Sequence, residues 1–251
     1  MKTEDKSELK SSVFQILLHI YSKTNIFAAF LNDFYKKSNI FALKKSNGMN
    51  RTKLSLVLML VAVTVVTCIN PIYPQEQILQ HAGTLLLMLP LVADVVRNRM
   101  PSSAFIGIAC FTLLHIVGAR YIYSYVPYRE WFAAVGVTDA AFLQGTRNHY
   151  DRLVHFSFGL LMFPCLVWLC RRWIGQRQIL PILVAWLIVQ TGSMIYELFE
   201  WTLTIVMTSE EADYYNGQQG DMWDAQKDMA LAMAGSSVVA VCYLVKSKFR
   251  R

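Results

Sequence analysis

Three pairs of ionisable residues stand at helical spacing in the C-terminal half of the chain. Asp151 and His155 are four apart, Glu197 and Glu200 three apart, and Asp224 and Asp228 four apart. Residues at i,i+3 or i,i+4 share one face of a helix, so each pair points both of its side chains the same way. Three such helices can aim carboxylates and an imidazole at one volume. Donors of this kind suit Mg²⁺, Mn²⁺ or Ca²⁺, or Zn²⁺ where the histidine takes part. The expected metal donors are His155, Glu197, Glu200, Asp224 and Asp228. The same groups, with Asp151, are candidate general acids and bases, because burial brings carboxylates into the range where they exchange protons near neutral pH. His115, Arg120, Arg152 and Asp221 are expected to flank the group, with Arg120 as its counter-charge. A second reading stays open beside this one: Arg120, Arg147, Arg152 and Lys227 lie on the same side and can pair with the acids in an interhelical network that only holds helices together.

Composition says what kind of element must carry these residues. The chain has 251 residues, 55% hydrophobic and only 16% charged. Soluble domains average about 25% charged residues, so this is the balance of an integral membrane protein. Six apolar segments are long enough to be read as spans: Leu54–Ile69, Ile78–Val96, Ser103–Tyr123, Leu153–Cys170, Ile179–Met207 and Met229–Val245. The expected fold is an all-α bundle of six transmembrane helices.

Basic residues orient it. Arg51 and Lys53, Arg97 and Arg99, Arg171, Arg172 and Arg177, and Lys246, Lys248, Arg250 and Arg251 all fall on one side of the alternating spans. By the positive-inside rule both termini are cytoplasmic. The segment Thr208–Asp228, with six acids against Lys227 alone, is then outside. All six candidate residues fall in the outer half of their helices. In the inner half only Asp94 stands out, three residues before Arg97, and the two read as a snorkelling pair. The basic excess follows this topology and not one face, so a nucleic-acid partner is excluded; membrane lipid is the surrounding partner.

Residues 1–48, with eight Lys, no Arg and four acids, do not fit the pattern. Met49-Asn50-Arg51-Thr52-Lys53 before an apolar helix reads as a natural start, and 1–48 as a dispensable extension to the domain at 49–251. The five cysteines lie in or beside apolar stretches with no CxxC spacing, so they read as small apolar side chains. No GxSxG, HExxH, Walker or GxGxxG pattern occurs, so no familiar catalytic scaffold is indicated.

Four stretches carry a family resemblance: LLHIVGARY at 113–121, NHYDRLVHF at 148–156, YELFEW at 196–201 and GDMWDAQKDM at 220–229. On these the chain resembles the YjdF-like family of bacterial inner-membrane proteins, a family without established function, over nearly all of 49–251. It is also similar to VanZ-like membrane proteins. Asp151-Arg152 to His155-Phe156 matches their Asp-Lys-x-x-His-Phe start with Arg for Lys, and Glu197 matches their Glu-x-x-Gln with Glu200 for Gln. Asp224 and Gly235 match a third element in which Asp228 replaces Asn. These departures add carboxylates to the site. The function expected is an inner-membrane protein with an acidic, histidine-containing cavity facing outward. Such a cavity would bind or process an envelope or lipid-linked substrate with a divalent metal. The alternative is a non-enzymatic membrane protein, transporter-like or an envelope-stress factor, whose polar groups form a structural or proton-relay network.

Overall fold

The computed structural model describes residues 50–175, 179–206 and 216–248. The extension at 1–48, and the charges at Arg177, Glu210, Glu211, Asp213, Arg250 and Arg251, lie outside the described residues. Among those residues there are seven α-helices, one 3-10 turn and no strands. They are α1 (Arg51–Thr67), α2 (Pro74–Arg97), α3 (Ser102–Arg120), α4 (Tyr128–Ala134), α5 (Tyr150–Ile174), α6 (Leu180–Val206) and α7 (Asp224–Lys248).

Local chemistry sets the helix ends. The Asn50 side chain accepts from the Thr52 and Lys53 N–H groups and starts α1, satisfying donors that a first turn leaves unpaired. Pro74 opens α2 and a left-handed Asn98 closes it, as a fixed φ and a tolerated αL residue favour. Arg171 and Arg172 occupy the last turn of α5, and Gly175 at φ 124° ends it. Compared with the expected spans, α5 and α7 begin earlier, so Asp151 and Asp224 lie within first helical turns.

Five helices, α2, α3, α5, α6 and α7, are long and apolar enough to cross a membrane. The sixth expected span, α1, has 17 residues and so extends about 25 Å, short of the roughly 30 Å of a bilayer core. Apolar side chains such as Leu85, Leu86 and Leu89 on α2 and Val238 and Val241 on α7 face outward, the pattern of helices whose solvent is lipid.

Helix α5 is the hub, packing on α3, α6 and α7, while α1 and α2 pack on each other and on α3. One apolar core joins α1–α3 through Leu60, Leu91, Phe105 and Ile108. Another joins α5–α7 through Phe163, Val167, Ile182 and Val189. The α5–α7 seam is closed by glycine. A Cβ on Gly159 would lie 2.0 Å from the Ala232 carbonyl oxygen, and one on Gly235 would lie 2.1 Å from that of Phe156. Only glycine permits backbones this close, and the contact brings the polar first turns of α5 and α7 side by side.

Candidate functional site

All six candidate residues are buried: Asp151, His155, Glu197, Glu200, Asp224 and Asp228. They divide into two tiers along the helices. The tier nearer the N-termini of α5 and α7 is ionic. Arg147 donates to the Asp224 carboxylate, and Arg152 reaches the same oxygen at 3.4 Å. Arg152 also pairs with Asp221 at 2.6 Å, and Lys227 with Asp221 at 2.5 Å. Lysine and arginine thus hold Asp221 far below the ordinary carboxylate range, at about 2, with Lys227 the largest cause and the Trp223 N–H next.

One turn deeper, the tier has no arginine or lysine. Donor atoms of Asp151, His155 and Asp228 all lie within 4.8 Å of one another. The His155 Nε2 is 3.7 Å from Asp151 Oδ1 and 3.6 Å from Glu197 Oε1. Glu200, one turn further along α6, is hydrogen-bonded by the Tyr196 hydroxyl, and the Tyr196 ring stands edge-on to His155 with centroids 5.8 Å apart. Asp228 Oδ1 and Glu197 Oε1 are buried without a hydrogen-bond partner. Buried polar atoms in native proteins are nearly always satisfied, so two open oxygens around one imidazole set this cluster apart from the ionic tier. Two ligands on opposite sides of an ion at about 2.0–2.4 Å are about 4–5 Å apart, so the Asp151–His155–Asp228 spacing suits one cation.

A short stretch covers this tier. Asn216 donates to the Glu200 carbonyl at 3.1 Å, and the Gly217 Cα region lies against Asp151 and Ser124. Gly217 has φ 66° and a Cβ there would sit 2.8 Å from Ser124 Oγ, so glycine is required on both counts. Gln219 clamps the start of α5, accepting from the Asn148 N–H at 2.8 Å and donating to its carbonyl at 3.0 Å.

Several expectations are corrected. Asp224 pairs with Arg147 and Arg152, while Asp151 stands beside His155 and Asp228. Arg120 is not the counter-charge: it donates to the Thr67 carbonyl at 2.7 Å and the Ile69 carbonyl at 3.3 Å, capping the end of α1. His115 faces α2, with Nε2 3.0 Å from the Gln80 carbonyl and Nδ1 against the Tyr123 hydroxyl. Both ring nitrogens are occupied, so His115 is a packing residue of α2–α3. Asp94 does not pair with Arg97; its carboxylate meets Lys53 at 2.6 Å.

Arg147, Asn216 and Gly217 escaped selection as site residues. Arg147 was visible only as one of several cations outside a span, and nothing in the spacing of Asn216-Gly217 distinguishes a cover from a linker. The signal that could have found Arg147 is its position one turn before Asp151, on the same side as Arg152.

Comparison with known proteins agrees with this architecture. Residues 52–248 match the family described as "Predicted membrane protein (DUF2238)". The chain is 32% identical over 165 residues to the inner membrane protein YjdF of Escherichia coli (strain K12), covering 64% of this chain and 73% of that one. No solved structure matches. The VanZ-like similarity rests on its residue pattern alone. Five spans and this kinship make the chain a multi-pass protein of the inner membrane, and it belongs to the DUF2238 family of predicted membrane proteins.

Proposed function

We propose that this protein binds a divalent cation of the Mn²⁺ or Zn²⁺ kind between α5, α6 and α7, in the outer half of the membrane, and uses it on an envelope or lipid-linked substrate. One observation carries the reading: Asp151, His155 and Asp228 offer donors within 4.8 Å of one another, with no Lys or Arg partner among their described ion pairs. Carboxylates collected in a low-dielectric interior require opposite charge or shared protons. Mixed imidazole and carboxylate donors favour the borderline metals over Mg²⁺. Glu197, 3.6 Å from His155, is a fourth ligand or the base that orients the imidazole. The outward placement and the sixth span, α1, follow from the distribution of Lys and Arg, which puts both termini in the cytoplasm.

The network reading fits the ionic tier, where Arg147, Arg152 and Lys227 account for Asp221 and Asp224. It leaves Asp228 and Glu197 unexplained. The test is metal analysis of detergent-purified protein equilibrated with Mn²⁺ or Zn²⁺. Near one equivalent is expected for the native chain, and loss in both Asp228→Asn and Asp151→Asn. Equal metal in all three, or none in any, would remove the reading.

A further inference from the structure

Four cations lie at the helix starts on the Asp151 and Asp224 side of the carboxylate–histidine tier: Arg129 at the start of α4, Arg147 and Arg152 around the start of α5, and Lys227 in the first turn of α7. Arg129 Nη2 donates to the Arg147 carbonyl at 2.6 Å, tying the two together. Three of these guanidinium charges act on one imidazole: His149 is held below its ordinary range, first by burial and then by Arg152, Arg147 and Arg129. Against four cations the described ion pairs set two carboxylates, Asp221 and Asp224. Arg129 has no carboxylate partner among the described residues; its guanidinium lies over the Tyr128 ring at 5.9 Å. The Nε–H groups of Arg129, Arg147 and Arg152 are all buried without an acceptor. Arg152 follows Asp151 on α5, and both Arg147 and Arg152 pair with Asp224, one turn before Asp228 on α7, so rim and tier adjoin.

Large apolar side chains adjoin the same rim in sequence and are left exposed. Met222 and Trp223 are 82% and 58% exposed although they lie between the ion-paired Asp221 and Asp224, and Trp131 and Phe132 follow Arg129 on α4. Planar guanidinium forks with spare donors suit phosphate oxygens. A divalent cation beneath them would bind the same phosphate from the other side. Exposed aromatic and aliphatic groups beside a basic pocket at the membrane surface suit the chain of an amphiphile.

We propose that the rim of Arg129, Arg147 and Arg152 binds the phosphate headgroup of a lipid-linked phosphate ester in the outer leaflet, with Arg129 as the guanidinium whose charge no described carboxylate balances. This rests on the cation reading above for the second contact to phosphate, and it names the substrate class of that site.

The test is calorimetric titration of the full chain in maltoside micelles with dodecyl phosphate and, separately, inorganic phosphate. Each is run with Mn²⁺ and with EDTA, on the native chain, Arg129→Gln and Arg129→Lys. Dodecyl phosphate should bind in the presence of Mn²⁺. Arg129→Gln should weaken it about tenfold or more, the loss of one charge-assisted contact. Arg129→Lys should fall between, and Mn²⁺ uptake should not change in either. Inorganic phosphate should bind more weakly than the amphiphile; equal affinity would overturn the lipid assignment in favour of free phosphate. Mn²⁺ binding with no dodecyl phosphate binding, or with equal binding by Arg129→Gln, would overturn the proposal and leave the cation reading standing. Dodecyl phosphate binding in EDTA that Arg129→Gln abolishes, with no Mn²⁺ bound, would support the rim and overturn the cation reading.

Discussion

Two buried charge sites stand at opposite ends of the bundle, and they are built on opposite principles. Where α1, α2 and α3 meet, Asp94 is saturated. One carboxylate oxygen takes the Lys53 ammonium at 2.6 Å, and the other accepts the N–H groups of Arg99 and Met100 at 2.8 and 2.9 Å. Lys53 is equally occupied, donating to the Met100 carbonyl at 2.8 Å and lying over the Phe105 ring at 5.1 Å. Where α5, α6 and α7 meet, Asp228 and Glu197 each keep an oxygen that nothing satisfies. The first site has an equal number of charges and complete hydrogen bonding. It fixes three helix ends and needs no ligand. The second gathers acids around one histidine with no Lys or Arg partner and leaves two buried carboxylate oxygens without a hydrogen bond. Saturation, more than burial or charge, separates a structural ion pair from a candidate site.

The largest expected effect tests the saturated side. Lys53→Met leaves Asp94 buried with no cation, a change that costs about 3–5 kcal/mol where one partner of a buried pair is removed. Thermal unfolding in detergent should show it. Lys53→Met combined with Asp94→Leu should recover most of the loss, since an apolar pair of similar volume often replaces a buried ion pair without penalty. A single Lys53→Met variant as stable as the native chain would erase the contrast.

Next in size is the seam that brings the unsaturated residues together. Gly159 and Gly235 each face a backbone carbonyl that cannot rotate away. Alanine at either position should force α5 and α7 apart, at about 1–3 kcal/mol for overpacking. His155 lies one turn from Gly159, and Asp228 two turns from Gly235, so cation uptake should weaken along with stability. Reduced stability with unchanged metal uptake would show that the site tolerates a wider helix spacing than the donor distances imply.

How much of this was legible in sequence follows from the range of each interaction. Helical spacing fixed the faces of Asp151–His155 and Asp224–Asp228, because i,i+4 geometry is local. Depth followed from span boundaries, which hydropathy reveals. The assignment of partners did not follow. Asp94 has Arg97 one turn away in sequence, yet Lys53, 41 residues earlier, takes the place, because α1 packs on α2 while Arg97 turns outward with the end of its helix. Arg120 fails as counter-charge for the same reason: its guanidinium is taken by the Thr67 and Ile69 carbonyls at the end of α1. Spacing groups Asp224 with Asp228, yet Arg147, 77 residues earlier, pairs with Asp224. Choices between nearby cations depend on tertiary packing, which one sequence read alone does not contain.

A smaller effect, of opposite sign, tests the unsaturated side. Asp228→Asn keeps the shape and removes one negative charge from the cluster. In EDTA the variant should be at least as stable as the native chain, by up to about 1 kcal/mol, because a like-charge interaction of one pK unit has roughly that value. In Mn²⁺ the order should reverse, since ligand binding stabilises only the form that binds it. Destabilisation in EDTA on the scale of Lys53→Met would mean that the tier is a saturated network after all.

The smallest effect concerns the ionic tier. Asp221 accepts from Lys227 at 2.5 Å, from Arg152 at 2.6 Å and from the Trp223 N–H at 3.1 Å. These contacts, Lys227 first, hold its carboxyl at about 2, below the ordinary 3.8. A group lowered on folding stabilises the folded state fully above its ordinary value, and that contribution is lost as pH falls through the folded one. Protonation of Asp221 should therefore erode stability between about pH 4 and pH 2. Asp221→Asn never carries the charge, so it should start slightly less stable than the native chain near neutral pH and converge with it across that window. Salt should shrink the gap from the start, because Lys227 is exposed and its pairing is screened. The comparison is made by thermal unfolding in detergent at intervals from pH 5 to pH 2, with the native chain as reference at each point. A gap that stays constant through the window would show that Asp221 acts through the Trp223 turn alone, and that Arg152 and Lys227 are free to face the cluster instead.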